Sequence, residues 1–237
     1  MRIYNNVKEA VKETERELVE MGIKLHPETM QDKEVGDNLD FETIELQGYG
    51  YKITSFHGLE ADFRSLKGNW EYIQAEMSDR LSNTLLNPGN AWLTRQDVWE
   101  EFVENKTGRF AYTYNERFRE QLPYLIEELR EHPNTRQAVM TMYDRHQDMG
   151  NMGGIRRIPC SMYYQMLRRV RQGVEKLDLI YTMRSCDFYT HYLYDICLAM
   201  KMQEYIANAV GIEPGHFTHF IGSLHAYAKD YTTKGVF

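Results

Sequence analysis

The sequence predicts an α+β protein with a large sheet, and three observations lead to this prediction. Residues 177–185 alternate apolar and polar side chains, which is typical of a strand. Residues 41–56 have strand composition, with glycines that indicate a bend or bulge. Residues 191–210 are long, largely apolar and followed by Gly211, a residue suited to end a helix. An apolar helix among strands favours a helix buried against a sheet.

The remaining elements follow from the same patterns. Helices are predicted over three more segments, which are residues 6–22, 69–84 and 115–131. Pro123 is tolerated in the third helix only if that helix begins near Gln121. Strands are predicted over residues 138–144, 161–170 and 217–227. Residues 23–40 are polar and predict a loop, and the sequence NPGN at 87–90 predicts a turn.

Length and composition restrict the class of protein. A chain of 237 residues suits one domain spanning 1–237. The net charge of −7 argues against a general nucleic-acid binder, because phosphate neutralisation needs a basic face. No apolar run suits a transmembrane helix, and the N-terminus is too charged for a signal peptide. Three cysteines without a CxxC spacing predict neither disulfides nor a metal site, so we expect a cytoplasmic protein.

Two residues are candidates for catalysis. Cys160 follows Arg156 and Arg157, and cationic neighbours favour the nucleophilic thiolate. The alternative for Cys160 is a small buried side chain. Glu76 lies in a partly apolar stretch and can take part in proton transfer, whereas such a glutamate more often points to solvent.

Several residues are candidates for ligand binding. Arg184 and Ser185 end a predicted strand and suit a phosphate, although a salt bridge is the alternative for the arginine. Arg136 is a second phosphate candidate, with a solvated loop charge as the alternative. His225 and Tyr227 are two residues apart on a predicted strand, so they share a face and can bind one hydroxylated ligand.

Two further residues stand out for the surroundings that the sequence predicts. Asp195 lies among apolar and aromatic residues of the predicted helix, where a carboxylate is costly to bury without a partner. Trp99 suits either the core or a ligand stack.

The order of these residues resembles the thymidylate synthase superfamily. The resemblance is carried by HPNTRQ, IPC at Cys160, YTMRSCD with Asp195 eleven residues beyond Arg184, GIEPGHFTHFIG and GSLHAY. Order and spacing agree over residues 132–227, and TIELQGYG, EYIQAEM and DVWEEF extend the match loosely over 41–131. Residues 1–40 match poorly. The resemblance implies a twisted mixed sheet with a long buried helix and a homodimer joined sheet to sheet.

The resemblance also implies a role for each candidate residue. Cys160 adds to C6 of a pyrimidine nucleotide, and Glu76 organises water and proton transfer. The co-substrate is 5,10-methylenetetrahydrofolate, and no metal takes part. The residues implied to bind ligands are Arg184, Ser185 and the other subunit's arginine equivalent to Arg136 for the phosphate, His225 and Tyr227 for the sugar, and Asp187 and Trp99 for the folate.

Asp195 narrows the predicted substrate. Thymidylate synthases carry asparagine here, and a carboxamide answers both the carbonyl and the N3–H of uracil. An ionised carboxylate instead accepts from the amine of cytosine and stabilises N3 as it gains a proton. Aspartate at this position resembles the deoxycytidylate hydroxymethylases of phages, which implies action in a host cytoplasm. We predict a dCMP hydroxymethylase, with methylation of dCMP or dUMP, or nucleotide binding without catalysis, as alternatives.

Three features depart from the family pattern. His191 stands where the family usually has a glycine against the pterin. Gln137 stands where the family usually has a second arginine, so one positive charge that would bind the phosphate is missing. Ten residues follow Tyr227, fewer than is usual in the family. We expect a less completely closed site, which favours addition of water over hydride transfer.

Overall fold

The computed structural model describes residues 1–30, 33–151 and 156–233. The strands are β1 (Arg2–Tyr4), β2 (Ile23–Leu25), β3 (Thr29–Met30), β4 (Lys33–Glu34), β5 (Thr43–Ile53), β6 (Val139–Thr141), β7 (Ser161–Arg171), β8 (Val174–Asp187) and β9 (Glu213–Tyr227). The helices are α1 (Val7–Met21), α2 (Leu59–Ser65), α3 (Trp70–Arg80), α4 (Gln96–Trp99), α5 (Tyr114–Phe118), α6 (Gln121–Glu131), α7 (Arg145–Asp148), α8 (Leu193–Val210) and α9 (Ala228–Thr233). Across these three ranges, none of the helices combines the length and the hydropathy needed to cross a bilayer.

Seven strands form one mixed sheet, which confirms the predicted α+β class. Its order is β1-β5-β9-β8-β7-β6, with β2 also paired to β5, and β3 and β4 form a separate hairpin. The two central strands β8 and β9 run parallel, whereas β9 pairs with β5 and β8 pairs with β7 in the antiparallel sense. Because β8 and β9 are parallel, their carboxyl ends lie at the same edge of the sheet.

The long helix α8 is buried, as the sequence predicts. Ile206 and Cys197 are both fully inaccessible to solvent. The side-chain nitrogen of the buried Gln203 donates to the backbone carbonyl oxygens of Leu177 (2.7 Å) and His216 (3.1 Å), which ties α8 to β8 and β9. Gly211 follows the helix with φ of +85°, which confirms its predicted place at the helix end.

Other predicted elements are confirmed with shifted boundaries. The segment 115–131 forms two helices rather than one, and α6 begins at Gln121 as Pro123 requires. Strand β5 bends at Gly48 (φ +62°) without a bulge, because its register against β9 is the same on both sides of the glycine. A π-helical turn, Phe188–Tyr192, precedes α8.

The prediction of a loop over residues 23–40 is wrong in part. Residues Ile23–Leu25 form strand β2 on β5, and the β3–β4 hairpin follows. Leu25 is paired with Thr43, and this pairing is a tertiary contact that local polarity does not reveal. Residues 234–237, on which the expectation about site closure rests in part, lie outside the described residues.

The burial of α8 predicts a large stability effect at its centre. Ile206→Ala should lower the free energy of unfolding by about 2–4 kcal/mol, because it removes a fully buried side chain and leaves a cavity. Asn208→Ala, at an exposed position of the same helix, is the control and should change it by less than about 0.5 kcal/mol. Urea unfolding measures both values, and equal midpoints for the two variants would contradict a buried α8.

Candidate active site

A cleft lies at the sheet edge where the parallel strands β8 and β9 end, and it has two adjoining halves. One half is lined by α3, the turn before α8 and the start of α8, and the other by the ends of β8 and β9. Five residues line both halves, and these are Arg157, Cys160, Ser185, Asp187 and His191. Nine of the ten predicted site residues line this cleft, which are Glu76, Trp99, Cys160, Arg184, Ser185, Asp187, Asp195, His225 and Tyr227.

Arg136 is the predicted site residue that lies outside the cleft. Its side chain is exposed in the loop after α6, and its carbonyl oxygen accepts a hydrogen bond from the Gln165 amide (3.0 Å). The family resemblance assigns Arg136 to the site of another subunit, and an exposed side chain outside the cleft is compatible with that assignment. The assignment stays a prediction.

Cys160 and Arg184 are held together by backbone and side-chain contacts. The Arg184 amide donates to the Cys160 carbonyl oxygen (2.8 Å), and Arg184 Nη2 lies 3.7 Å from Cys160 Sγ. The same guanidinium donates through Nε to the Pro159 carbonyl oxygen (3.0 Å). A cation fixed beside a thiol supplies the positive charge that a thiolate nucleophile needs.

Asp195 lies in the first turn of α8 and faces the cleft half that also contains Glu76. The Cys186 thiol donates to its carboxylate, with Sγ and Oδ2 3.5 Å apart. Burial raises the pKa of Asp195 to about 7, although the Arg80 cation and the Cys186 hydrogen bond act in the opposite direction. Both the ionised and the protonated carboxyl are therefore accessible near neutral pH.

Glu76 is paired with a buried arginine. Its Oε1 accepts from Arg80 Nε at 2.7 Å, one helical turn along α3, and the Arg80 side chain is only 4% exposed. The Arg80 guanidinium also lies 4.2 Å from the centre of the Tyr114 ring. Burial works against the charge on Arg80, yet the Glu76 carboxylate and nearby tyrosines raise the pKa of Arg80 above its ordinary value. The pair therefore fixes the direction of the Glu76 carboxylate at the cleft wall.

His225 and Tyr227 lie together at the end of β9, as their spacing predicts. Their ring centres are 5.1 Å apart, and His225 is paired with Asp187 of β8 in the sheet register. Burial lowers the pKa of His225, so its imidazole is neutral at pH 7. Burial also raises the pKa of Tyr227, so its hydroxyl stays protonated. Two neutral hydrogen-bonding groups suit an uncharged partner such as a sugar hydroxyl.

Trp99 belongs to an aromatic wall on the opposite side of the cleft. The His191 ring lies 5.4 Å from the Trp99 ring, and the Arg157 guanidinium lies 3.9 Å from the centre of the Phe102 ring. Flat aromatic surfaces beside an arginine suit a bicyclic ligand that carries carboxylates, which is the chemistry of a folate.

Asp187 has a structural contact that the sequence did not reveal. Its Oδ1 accepts from the backbone amides of Tyr189 (3.1 Å) and Thr190 (3.3 Å), so it caps the π-helical turn. This cap fixes the direction of the turn that carries His191. The predicted folate contact of Asp187 stays a prediction.

Sequence reasoning missed the buried cations of the cleft. Arg80 and Arg95 are 4% and 8% exposed, and Arg95 stacks on the Tyr194 ring at 3.7 Å. Arg95 Nη2 also donates to the Thr190 carbonyl oxygen (2.9 Å), which ties it to the π-helical turn. The spacing of Glu76 and Arg80 was an available signal, since residues four apart on a helix are neighbours. No group of three or more metal-ligating His, Cys, Asp or Glu side chains occurs among the residues with described structure.

Comparisons with known proteins show which family the chain resembles. The family model described as thymidylate synthase matches residues 71–234. A Methanosarcina barkeri protein named "Putative thymidylate synthase" is 27% identical over 197 residues, which cover 78% of this chain and 83% of that protein. A "Deoxyuridylate hydroxymethyltransferase" of Pseudomonas phage M6 is 29% identical over 124 residues, which cover 52% of this chain and 34% of that protein.

A solved structure supports the fold. The thermostable thymidylate synthase A from Bacillus subtilis superposes with a TM-score of 0.72 at 15% identity, covering 98% of this chain and 83% of that one. At this identity the superposition speaks for the fold alone. The family match spans well over half of the 237 residues and includes Glu76, Cys160 and Asp195. The chain therefore belongs to the thymidylate synthase family.

Proposed function

We propose that this chain is a one-carbon transferase that hydroxymethylates dCMP at C5. The observation that carries the proposal is the Asp195 carboxyl, which faces the same cleft as the Cys160 thiol. An ionised carboxylate accepts from the exocyclic amine of cytosine, whereas uracil offers a carbonyl oxygen at the same place. Members of this family take their one-carbon unit from methylenetetrahydrofolate, for which the wall of Trp99, His191 and Arg157 is suited.

The first step of the proposed reaction uses Cys160. Its thiolate forms a bond to C6, and the electron pair of the C5–C6 double bond is delocalised over C5 and N3. N3 takes a proton from water, the ionised Asp195 stabilises the protonated N3, and N3 returns the proton to water when C5 forms its next bond. Arg184, beside Cys160 Sγ, neutralises the thiolate before attack and has donors for the 5′-phosphate. C5 then forms a bond to the one-carbon unit.

The later steps release the product. C5 loses its proton and the carrier folate departs, which leaves an exocyclic methylene on the nucleotide. Water adds to this methylene, a C5–C6 double bond forms again and the Cys160 thiolate leaves. The Glu76 carboxylate, fixed by Arg80, is placed to organise the water molecules that carry the C5 proton away.

The alternative functions differ from the proposed one in the nucleotide base, in the final step of the reaction, or in lacking catalysis. The relative from Pseudomonas phage M6 is named for hydroxymethyl transfer to deoxyuridylate, which supports the hydroxymethyl chemistry but not the base. Methylation of dCMP or dUMP is the second candidate, and a protonated Asp195 favours it for uracil, because a neutral carboxyl can donate as well as accept. The joint presence of Cys160, Asp195 and the Glu76–Arg80 pair speaks against a non-catalytic homologue.

The proposal extends to assembly and location. We propose one catalytic domain that dimerises through the sheet face opposite α8, so that Arg136 of each subunit reaches the phosphate in the other. Tyr163, Thr182 and Phe220 lie in one cross-strand row on that face, and Phe220 is 42% exposed. Exposed aromatic side chains on an uncovered sheet face favour a partner. We also propose action in the cytoplasm of a phage-infected host.

The proposed reaction predicts a defined product. With methylenetetrahydrofolate and dCMP tritiated at C5, the protein should release tritium and form 5-hydroxymethyl-dCMP, identified by mass spectrometry. Cys160→Ser should slow both by more than about 1,000-fold, because the covalent step is lost. Cys197→Ala, which removes a buried thiol of α8 outside the cleft, is the control and should retain both. A product that is only methylated would rule out hydroxymethylation.

The base-reading role of Asp195 predicts a change in substrate preference. Asp195→Asn should shift the kcat/KM ratio of dCMP to dUMP toward dUMP by about 10- to 100-fold, since one base-specific hydrogen-bond pair is worth about 1–3 kcal/mol. Initial rates with both nucleotides measure the ratio. Asp37→Asn, an exposed carboxylate, should leave it unchanged. An unchanged ratio in Asp195→Asn would show that this residue does not read the base.

The raised pKa of Asp195 predicts that the preference depends on pH. Above a pKa of about 7 the carboxylate is ionised and suits cytosine, and below it the neutral carboxyl resembles asparagine and suits uracil. The kcat/KM ratio of dCMP to dUMP should therefore rise between pH 6 and pH 8, centred at about 7. Taking the ratio cancels every pH effect that the two substrates share. In Asp195→Asn the ratio should be flat, and a flat ratio in the natural protein would contradict the assignment.

A further inference from the structure

His191 lies where the two halves of the cleft meet. It belongs to the π-helical turn between β8 and α8, and its ring packs 5.4 Å from the Trp99 ring. Within the described ranges no side chain or backbone group is recorded as hydrogen-bonded to its ring nitrogens, and the residue is half-buried. Its ring nitrogens are therefore available to a ligand or a water in the cleft.

The surroundings of His191 keep its imidazole neutral. The charged and titratable groups that face it are Asp187 of β8, Arg95 before α4, Arg157 before β7 and His225 of β9. Burial lowers the pKa of His191 to about 4, Asp187 acts in the opposite direction, and the two arginines lower it further. At pH 7 one ring nitrogen is then an unprotonated hydrogen-bond acceptor.

The other residues shared by both halves of the cleft are less suited to accept a proton. Arg157 has donors only, and Cys160 forms the bond to the nucleotide in the proposed reaction. The Asp187 oxygen Oδ1 already accepts from two backbone amides, and Ser185 carries only a weakly basic hydroxyl. Glu76 is paired with Arg80 on α3, outside this shared stretch. His191 is thus the neutral nitrogen base in the stretch next to Cys160.

We propose that His191 holds the water that adds to the exocyclic methylene and accepts its proton. This inference rests on the proposed hydroxymethyl transfer. The water oxygen bonds to the methylene carbon, and one water proton passes to the free ring nitrogen of His191. The methylene π electrons move onto C5, the C5–C6 double bond forms, and the C6–sulfur pair returns to Cys160 as thiolate. The imidazolium gives its proton to solvent, so water is consumed and no oxidant or reductant is needed.

Two variants distinguish the contribution of the His191 ring nitrogen from that of its aromatic surface. His191→Phe keeps an aromatic ring for Trp99 but has no nitrogen, and His191→Gln keeps a hydrogen-bonding group without a comparable base. The measured quantity is 5-hydroxymethyl-dCMP formed per tritium released from C5 at early times within a single turnover, with enzyme in excess over dCMP, because tritium release precedes the water step. We expect this ratio to fall at least about tenfold in His191→Phe and less in His191→Gln. The control His57→Gln, at an exposed position, should keep the ratio.

The outcomes distinguish this inference from the proposed function. If the natural protein releases no tritium or forms no hydroxymethyl product, the proposed function fails and the inference fails with it. If the natural protein forms the product and folded His191→Phe keeps the ratio, the inference alone is overturned. An equal loss of tritium release and product in both folded variants also overturns it, since His191 would then act in binding. Independently, the His191 ring should be neutral by NMR from pH 6 to pH 8 with dCMP bound, and an imidazolium at pH 7 would overturn the inference.

Discussion

The parallel pairing of β8 with β9 is the interaction on which the site depends. It sets Asp187 opposite His225 and Ser185 opposite Ser223, so residues far apart in the chain meet at one edge of the sheet. The pairing requires close approach, because a Cβ at Gly222 of β9 would lie 2.7 Å from the Arg184 carbonyl oxygen. The Arg184 amide in turn binds the Cys160 carbonyl oxygen of the incoming β7 segment. One backbone register thus brings together the candidate nucleophile, its cation and the candidate sugar-binding pair.

The cleft contains fixed positive charges although the protein as a whole is acidic. The chain carries a net charge of −7, yet Arg80 and Arg95 are buried near Asp195 and Arg184 lies beside Cys160. Fixed cations in a partly buried site act more strongly than the same charges in water. They lower the cost of a carboxylate on α8 without cancelling it, which is why the pKa of Asp195 still rises to about 7. The overall acidity of the protein therefore places no limit on a small anionic substrate in this cleft.

The sequence predicted those parts of the structure that local patterns determine. Periodicity identified α8 and β8, Pro123 indicated the start of α6, and the family resemblance assigned to one site nine residues that line the cleft. The buried arginines were not predicted, because an arginine has the same local signature on a surface as under a tyrosine ring. Strand β2 was missed because its three residues, Ile23–Leu25, are too few to show a periodic pattern, and their pairing with residues 43–45 of β5 is a tertiary contact.

The turn that carries His191 is held by a structural cap. The Asp187 carboxylate accepts from the amides of Tyr189 and Thr190, and Arg95 donates to the Thr190 carbonyl oxygen. Side chains therefore bond both N–H and C=O groups of the π-helical turn. A π-helical turn presents its side chains in a different direction from a regular α-helical turn. Here that turn presents His191 to the stretch of the cleft it shares with Cys160, while Asp195 follows one turn later on α8. The same capped segment thereby carries the carboxyl proposed to read the base and the imidazole proposed to bind water, one helical turn apart.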